Sequence, residues 1–161
     1  MGLFSFLGFI IDSLFDGDSE KSEEQLEEEK EEREQEEQNK KITKELEYKL
    51  YGRLSHPKGG NLTIDEVDAS VWDHSKEASA YVSVTIRIGI PVDIERDNYE
   101  CDRFKDQTES DYLSYSCQSE MEDDVKYALS GVLGSYLVNK SDYKVSASVS
   151  ISLEYYTEYW Y

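Results

Sequence analysis

Residues 144–155 read Lys-Val-Ser-Ala-Ser-Val-Ser-Ile-Ser-Leu-Glu-Tyr, and their alternation decides the fold. Val145, Ala147, Val149, Ile151, Leu153 and Tyr155 fall on one side of an extended chain, with Lys144, Ser146, Ser148, Ser150, Ser152 and Glu154 on the other, because side chains along a strand point to opposite faces in turn. One side therefore meets a core and the other meets water. The same pattern stands upstream, where Ala80, Val82, Val84, Ile86, Ile88 and Ile90 alternate with Tyr81, Ser83, Thr85 and Arg87, and more briefly at Val67, Ala69 and Val71. A polar turn from Asp73 to Glu77 joins these two runs. Strands with one apolar and one hydroxyl-rich face predict a small antiparallel sheet of about three to four strands, covered by helices on one face only.

One covering helix lies between the strands. Ser119 stands three residues before Glu122, with Asp123 and Asp124 in the first turn. Met121, Val125, Ala128, Leu129, Val132, Leu133, Tyr136 and Leu137 then recur at helical spacing. Residues 91–118 show little periodicity and read as a long loop, with a short strand at Tyr112 to Cys117. Upstream, Ser55-His56-Pro57-Lys58-Gly59-Gly60-Asn61 marks a boundary, since proline and paired glycines stop a helix. Before it, residues 22–54 read as one helix, with Ser22 as its cap, Glu23 and Glu24 at its start, and Lys40, Lys41, Lys44, Lys49 and Arg53 toward its end. Its first half has no apolar seam, because Leu26 is the one large apolar residue between 20 and 41. Its second half carries Ile42, Leu46, Leu50 and Leu54 every four residues, with Tyr48 and Tyr51 beside them, as a face able to lie on the domain. The class is therefore α+β. Three segments follow: an apolar helix over 1–17, a charged spacer over 18–54, and a small domain over 55–161.

The first fifteen residues are the least polar part of the chain. Leu3, Phe4, Phe6, Leu7, Phe9, Ile10, Ile11, Leu14 and Phe15 surround a thin polar stripe of Ser5, Gly8, Asp12 and Asp16. Burying each large apolar side chain is worth about 1.5 to 3 kcal/mol, so such a helix is driven to dock. Its own domain, a partner protein, a further copy of the chain and a membrane face are the surfaces it would meet. An interfacial helix usually carries basic residues, and this one carries only acid. No secretory signal is expected, because no base precedes the apolar run and no small-residue cleavage site follows it. Phe6 also breaks the myristoylation pattern. The far end is aromatic: Tyr155, Tyr156, Tyr159, Trp160 and Tyr161 interleave with Glu154 and Glu158. Tyr and Trp are residues that carry binding hot spots, so these five join the apolar segment as candidate partner-binding residues.

Charge and chemistry bound the function. The 161 residues carry 36 acids against 17 bases, a net charge of -19, which excludes direct nucleic-acid binding because phosphate must be met by lysine and arginine. Residues 55–161 hold 20 acids and 9 bases. The element order up to residue 139 resembles a double-stranded-RNA-binding domain, yet the helix that meets phosphate there opens with bases and this one opens Ser119-Glu120-Met121-Glu122-Asp123-Asp124, so no function is carried over. His56 and His74 read as exposed loop histidines. Cys101 and Cys117 read as reduced thiols in the long loop, too few for a metal site. Asp93, Glu95 and Asp97 open like a calcium loop, but Asn98 and Phe104 stand where glycine and glutamate belong. No phosphate loop, nucleophile elbow or zinc helix occurs, and no cofactor is expected. The reading is a non-enzymatic acidic interaction protein of the cytoplasm, binding a protein partner, itself or a membrane face through its apolar helix. The rivals are an inhibitor that mimics nucleic acid toward a basic protein, and an enzyme using residues 91–118.

Overall fold

The computed structural model describes residues 22–159. The chain divides into two compact units, residues 1–36 and 37–161. In the first, helix α1 (Glu23–Leu50) begins where Ser22 Oγ accepts from Gln25 N–H at 3.3 Å, with Glu23 and Glu24 in its first turn. Leu26 is half exposed there and the glutamates around it are nearly all in solvent. The second unit takes up α1 at Glu37 and buries Ile42, Leu46 and Leu50. The helix stops at Leu50 rather than 54 because Gly52 sits at φ 75°, a left-handed turn that glycine adopts without strain. Leu54 is still buried in the core, whereas Tyr48 and Tyr51 point into solvent and do not lie on the domain.

Strand β1 (Asn61–Trp72) pairs antiparallel with β2 (Glu77–Pro91), and β2 pairs in parallel with β3 (Lys144–Glu158), giving the order β1-β2-β3. The fold is α+β, and the sheet is mixed rather than antiparallel throughout. A polar outer face reads as a sheet covered on one side, as it is among the described residues. It says nothing of strand direction, which the crossover between β2 and β3 sets. Strand β1 also begins six residues before Val67. A register shift between Ile64 and Glu66 inserts Asp65 as an extra residue, so the inward positions change from Leu62 and Ile64 to Val67, Ala69 and Val71. Asp65 then accepts the Thr85 hydroxyl at 2.5 Å on the open face.

The crossover is helical, not a loop. Helix α2 (Val92–Glu95) leads to α3 (Asn98–Tyr112), whose cap Asp97 accepts from Tyr99 and Glu100 N–H at 3.0 and 3.2 Å. Helix α4 (Tyr115–Leu133) starts four residues ahead of Ser119, because Ser114 Oγ accepts from Cys117 N–H at 3.3 Å. No strand forms at Tyr112 to Cys117, and both cysteines lie in helices without a sulfur partner. Cys117, Met121, Val125, Leu129, Val132 and Leu133 make the buried stripe of α4. That stripe and the second half of α1 share one core with Val71, Val82, Val84 and Val149 from the inner face of the sheet.

His56 corrects a further expectation: it is only 4% exposed. Its Nδ1 accepts Lys58 N–H at 3.0 Å, which leaves the proton on Nε2 to be donated to Tyr112 O at 2.8 Å, and the ring stacks on Tyr112 at 4.6 Å. His74 is exposed in the turn between β1 and β2.

Candidate interaction surface

The mixed sheet has two edges, and they differ. Along β1, Thr43 Oγ1 accepts Ala69 N–H at 3.1 Å and donates to Ala69 O at 3.3 Å, while Asn39 Oδ1 accepts Val71 N–H at 3.1 Å. Asn39 and Thr43 are four apart on α1 and so share a face, which occupies backbone groups that would otherwise offer a template to another strand. Along β3 the cover is thin. Gln118 Nε2 donates to Val149 O at 3.1 Å, and β3 has no second strand beside it among the described residues.

The open face is an array of hydroxyls. Ser79 faces Ser146, Tyr81 faces Ser148, Ser83 faces Ser150 and Thr85 faces Ser152. The four β3 serines are exposed, and Tyr81 stands 40% exposed among them. The opposite, core-facing side of β3 is less well covered than that of β2. Val82, Val84 and Ile86 are 0% exposed, yet Val145, Ala147, Ile151 and Leu153 remain half-buried.

The aromatic end of the chain does not form one patch, because β3 sends successive residues to opposite faces. Tyr155 lies half-buried on the helical side, where its hydroxyl donates to Lys105 O at 3.4 Å and Lys105 Nζ stands 5.4 Å from its ring. That burial raises the pKa of its phenol, and the charges of Glu109 and Asp106 add to it. Tyr156 lies on the open face over its register partner Gly89, where an added Cβ would stand 3.1 Å from the ring. Arg87 stacks on that ring at 4.9 Å and lies 3.9 Å from Glu154. Tyr159 is 64% exposed. Trp160 and Tyr161 lie outside the described residues, as do Leu3, Phe4, Phe6, Leu7, Phe9, Ile10, Ile11, Leu14 and Phe15. A surface that sequence reasoning missed is an open groove at the end of α1 and the turn after it, lined by Lys44, Tyr48, Tyr51 and Arg53 among others. Only the exposure of the two tyrosines distinguishes it from a packed face.

The turn after β1 is tied to the start of β3. Tyr143 donates to Asp73 Oδ1 at 2.6 Å, Lys76 Nζ stands 5.0 Å from the Tyr143 ring, and Lys144 N–H donates to Lys76 O at 2.8 Å. The hydrogen bond to Asp73, helped by burial and the charges of Asp73 and Asp142, pushes the Tyr143 phenol up to about 12. The fold favours the neutral phenol, so this contribution is whole below the ordinary tyrosine pKa of about 10 and is lost as pH rises through 12. Subtracting the phenolate titration of Tyr143→Phe from that of the wild type isolates this group. We expect a midpoint near 12 that moves toward 10 in Asp73→Asn; an ordinary midpoint in the wild type refutes the link.

Among the described residues no group of three or more His, Cys, Asp or Glu could hold a metal ion, and no helix is long and apolar enough to cross a membrane. The fold is α+β, and among the described residues one face of the sheet carries no helix and the β3 edge carries no further strand. Comparison with family models, curated proteins and solved structures finds no match.

Proposed function

We propose that this chain is a non-enzymatic acidic interaction protein of the cytoplasm, recruited by its first fifteen residues to a protein partner, to further copies of itself or to a membrane face. The observation that carries the reading is the contrast between Leu3 to Phe15, with nine large apolar residues, and the exposed, glutamate-rich opening of α1 that follows. The domain supports it, because the hydroxyl face and the β3 edge, which carry no further element among the described residues, are surfaces that suit contact. His56 supports it too, since both ring nitrogens are engaged in holding the chain together.

Deleting residues 2–17 tests the reading. The full chain is expected to capture a partner, form assemblies larger than a dimer, or pellet with phosphatidylcholine or phosphatidylserine vesicles, and the deletion variant to lose that behaviour. Identical behaviour of the two chains in all three assays sinks the reading.

A further inference from the structure

From the open edge of β3 we infer that a second copy of the chain pairs there, strand β3 against strand β3 and antiparallel about a two-fold axis at Val149. This rests on the reading of the chain as an interaction protein and names one partner. The first ground is the lack of protection. Natural edge strands are blunted by charge, proline or bulges, yet residues 145–153 contain no charge and no proline, and β3 runs in unbroken register along β2 from Lys144 to Glu158. Among the described residues the other edge is held at Ala69 and Val71 of β1 by Thr43 and Asn39, whereas on β3 Gln118 reaches the backbone at Val149.

The second ground is self-complementarity. A two-fold axis at Val149 sets Ser146 against the partner's Ser152 and Ser148 against the partner's Ser150 on the open face. On the core side it sets Val145 against the partner's Leu153 and Ala147 against the partner's Ile151, small opposite large. It also brings Lys144 opposite the partner's Glu154, and does so twice. Ion pairs at both ends disfavour a slipped register.

The third ground is backbone direction. In a strand, the N–H and C=O of alternate residues point to the same side. Gln118 reaches Val149 O from outside β2, so the outward set is Val145, Ala147, Val149, Ile151 and Leu153. These residues meet in the pairs that exchange two hydrogen bonds each in an antiparallel ladder. A carbonyl has two acceptor positions, so Val149 O can keep Gln118. The half-buried Val145, Ala147, Ile151 and Leu153 then gain on their open flank the neighbours that their counterparts on β2 already have. The result is one six-stranded sheet across two copies.

The test uses the full chain, alone and with its first residues deleted, in sedimentation velocity across a concentration series. A dimer is expected in both, which separates this contact from recruitment by residues 1–17. Ala147→Pro removes one outward N–H per copy and none used by β2. With two bonds lost per dimer, at about 0.5 to 1.5 kcal/mol each, it raises the dimer Kd by roughly thirtyfold. Lys144→Glu and Glu154→Lys each weaken the dimer, and the double variant restores it, an outcome that misfolding does not produce. Ser148→Cys with Ser150→Cys in one chain, treated with oxidised glutathione, gives a disulfide-linked dimer that neither single variant nor the wild type gives. A full chain that is monomeric at about 100 μM overturns the proposal. So does a dimer indifferent to Ala147→Pro, to both charge reversals and to the paired cysteines. If that dimer disappears on deleting residues 2–17, the recruitment reading stands and the edge proposal falls.

Discussion

Replacing Leu46 with alanine lowers the stability of the domain by about 3 kcal/mol, the size expected when a fully buried leucine leaves a cavity that its neighbours cannot fill. Leu46 is 0% exposed and belongs to the core cluster that contains Ile42, Leu50, Met121, Val125 and Leu129. Domains of this kind are stable by only about 5 to 15 kcal/mol, so the loss is a large share of the total. Urea unfolding followed by far-ultraviolet circular dichroism reads it as a lower midpoint at unchanged slope. Leu26→Ala, in the same helix but half exposed, is the internal control and should change stability by less than about 0.5 kcal/mol. Equal effects at the two positions would show that the second half of α1 is not part of the core.

His56→Ala should cost about 2 kcal/mol even though it removes no aliphatic core side chain. The substitution leaves Lys58 N–H without its acceptor and Tyr112 O without its donor, and ends the stacking on Tyr112. His56→Gln keeps a group able to reach one of the two partners and should fall between alanine and wild type. An exposed loop histidine would give changes within about 0.5 kcal/mol for both. Thermal unfolding of the three chains therefore decides whether this ring fastens the loop before β1 to the corner between α3 and α4.

Much of the domain was legible because its elements carry their own period. The apolar positions of β2 and the serine alternation of β3 lie where the pattern put them, and the stripe from Met121 to Leu133 faces the core. The segment from residue 92 to 114 was not legible as helix, because α3 buries only Thr108 and so presents no apolar stripe to read. Its caps Asp97 and Ser114 were in plain view, but a cap without a stripe is a weak signal. The first half of β1 was hidden by Asp65, whose insertion changes the phase of the alternation halfway along the strand. His56 looked like a loop residue because proline and glycines follow it; its partners Lys58 and Tyr112 become one contact only when the crossover returns past the boundary.

Of the candidate contact residues, Tyr155 and Tyr156 were separable by parity alone, since neighbours on a strand cannot share a face. Their roles were not. The packing of Tyr156 over Gly89 depends on a parallel register across residues far apart in the chain, and so does the tie from Tyr155 to Lys105.

Spacing along the chain was enough to establish that this protein is α+β, that its sheet has one wet face, and which large side chains form the core, because periods of 2 and 3.6 are written in consecutive residues. Strand direction, the closing of one edge by Asn39 and Thr43, and the opening of the other at β3 were decided by the tertiary structure. Each of these rests on backbone groups meeting partners 26 or more residues away, and no local period records such a meeting.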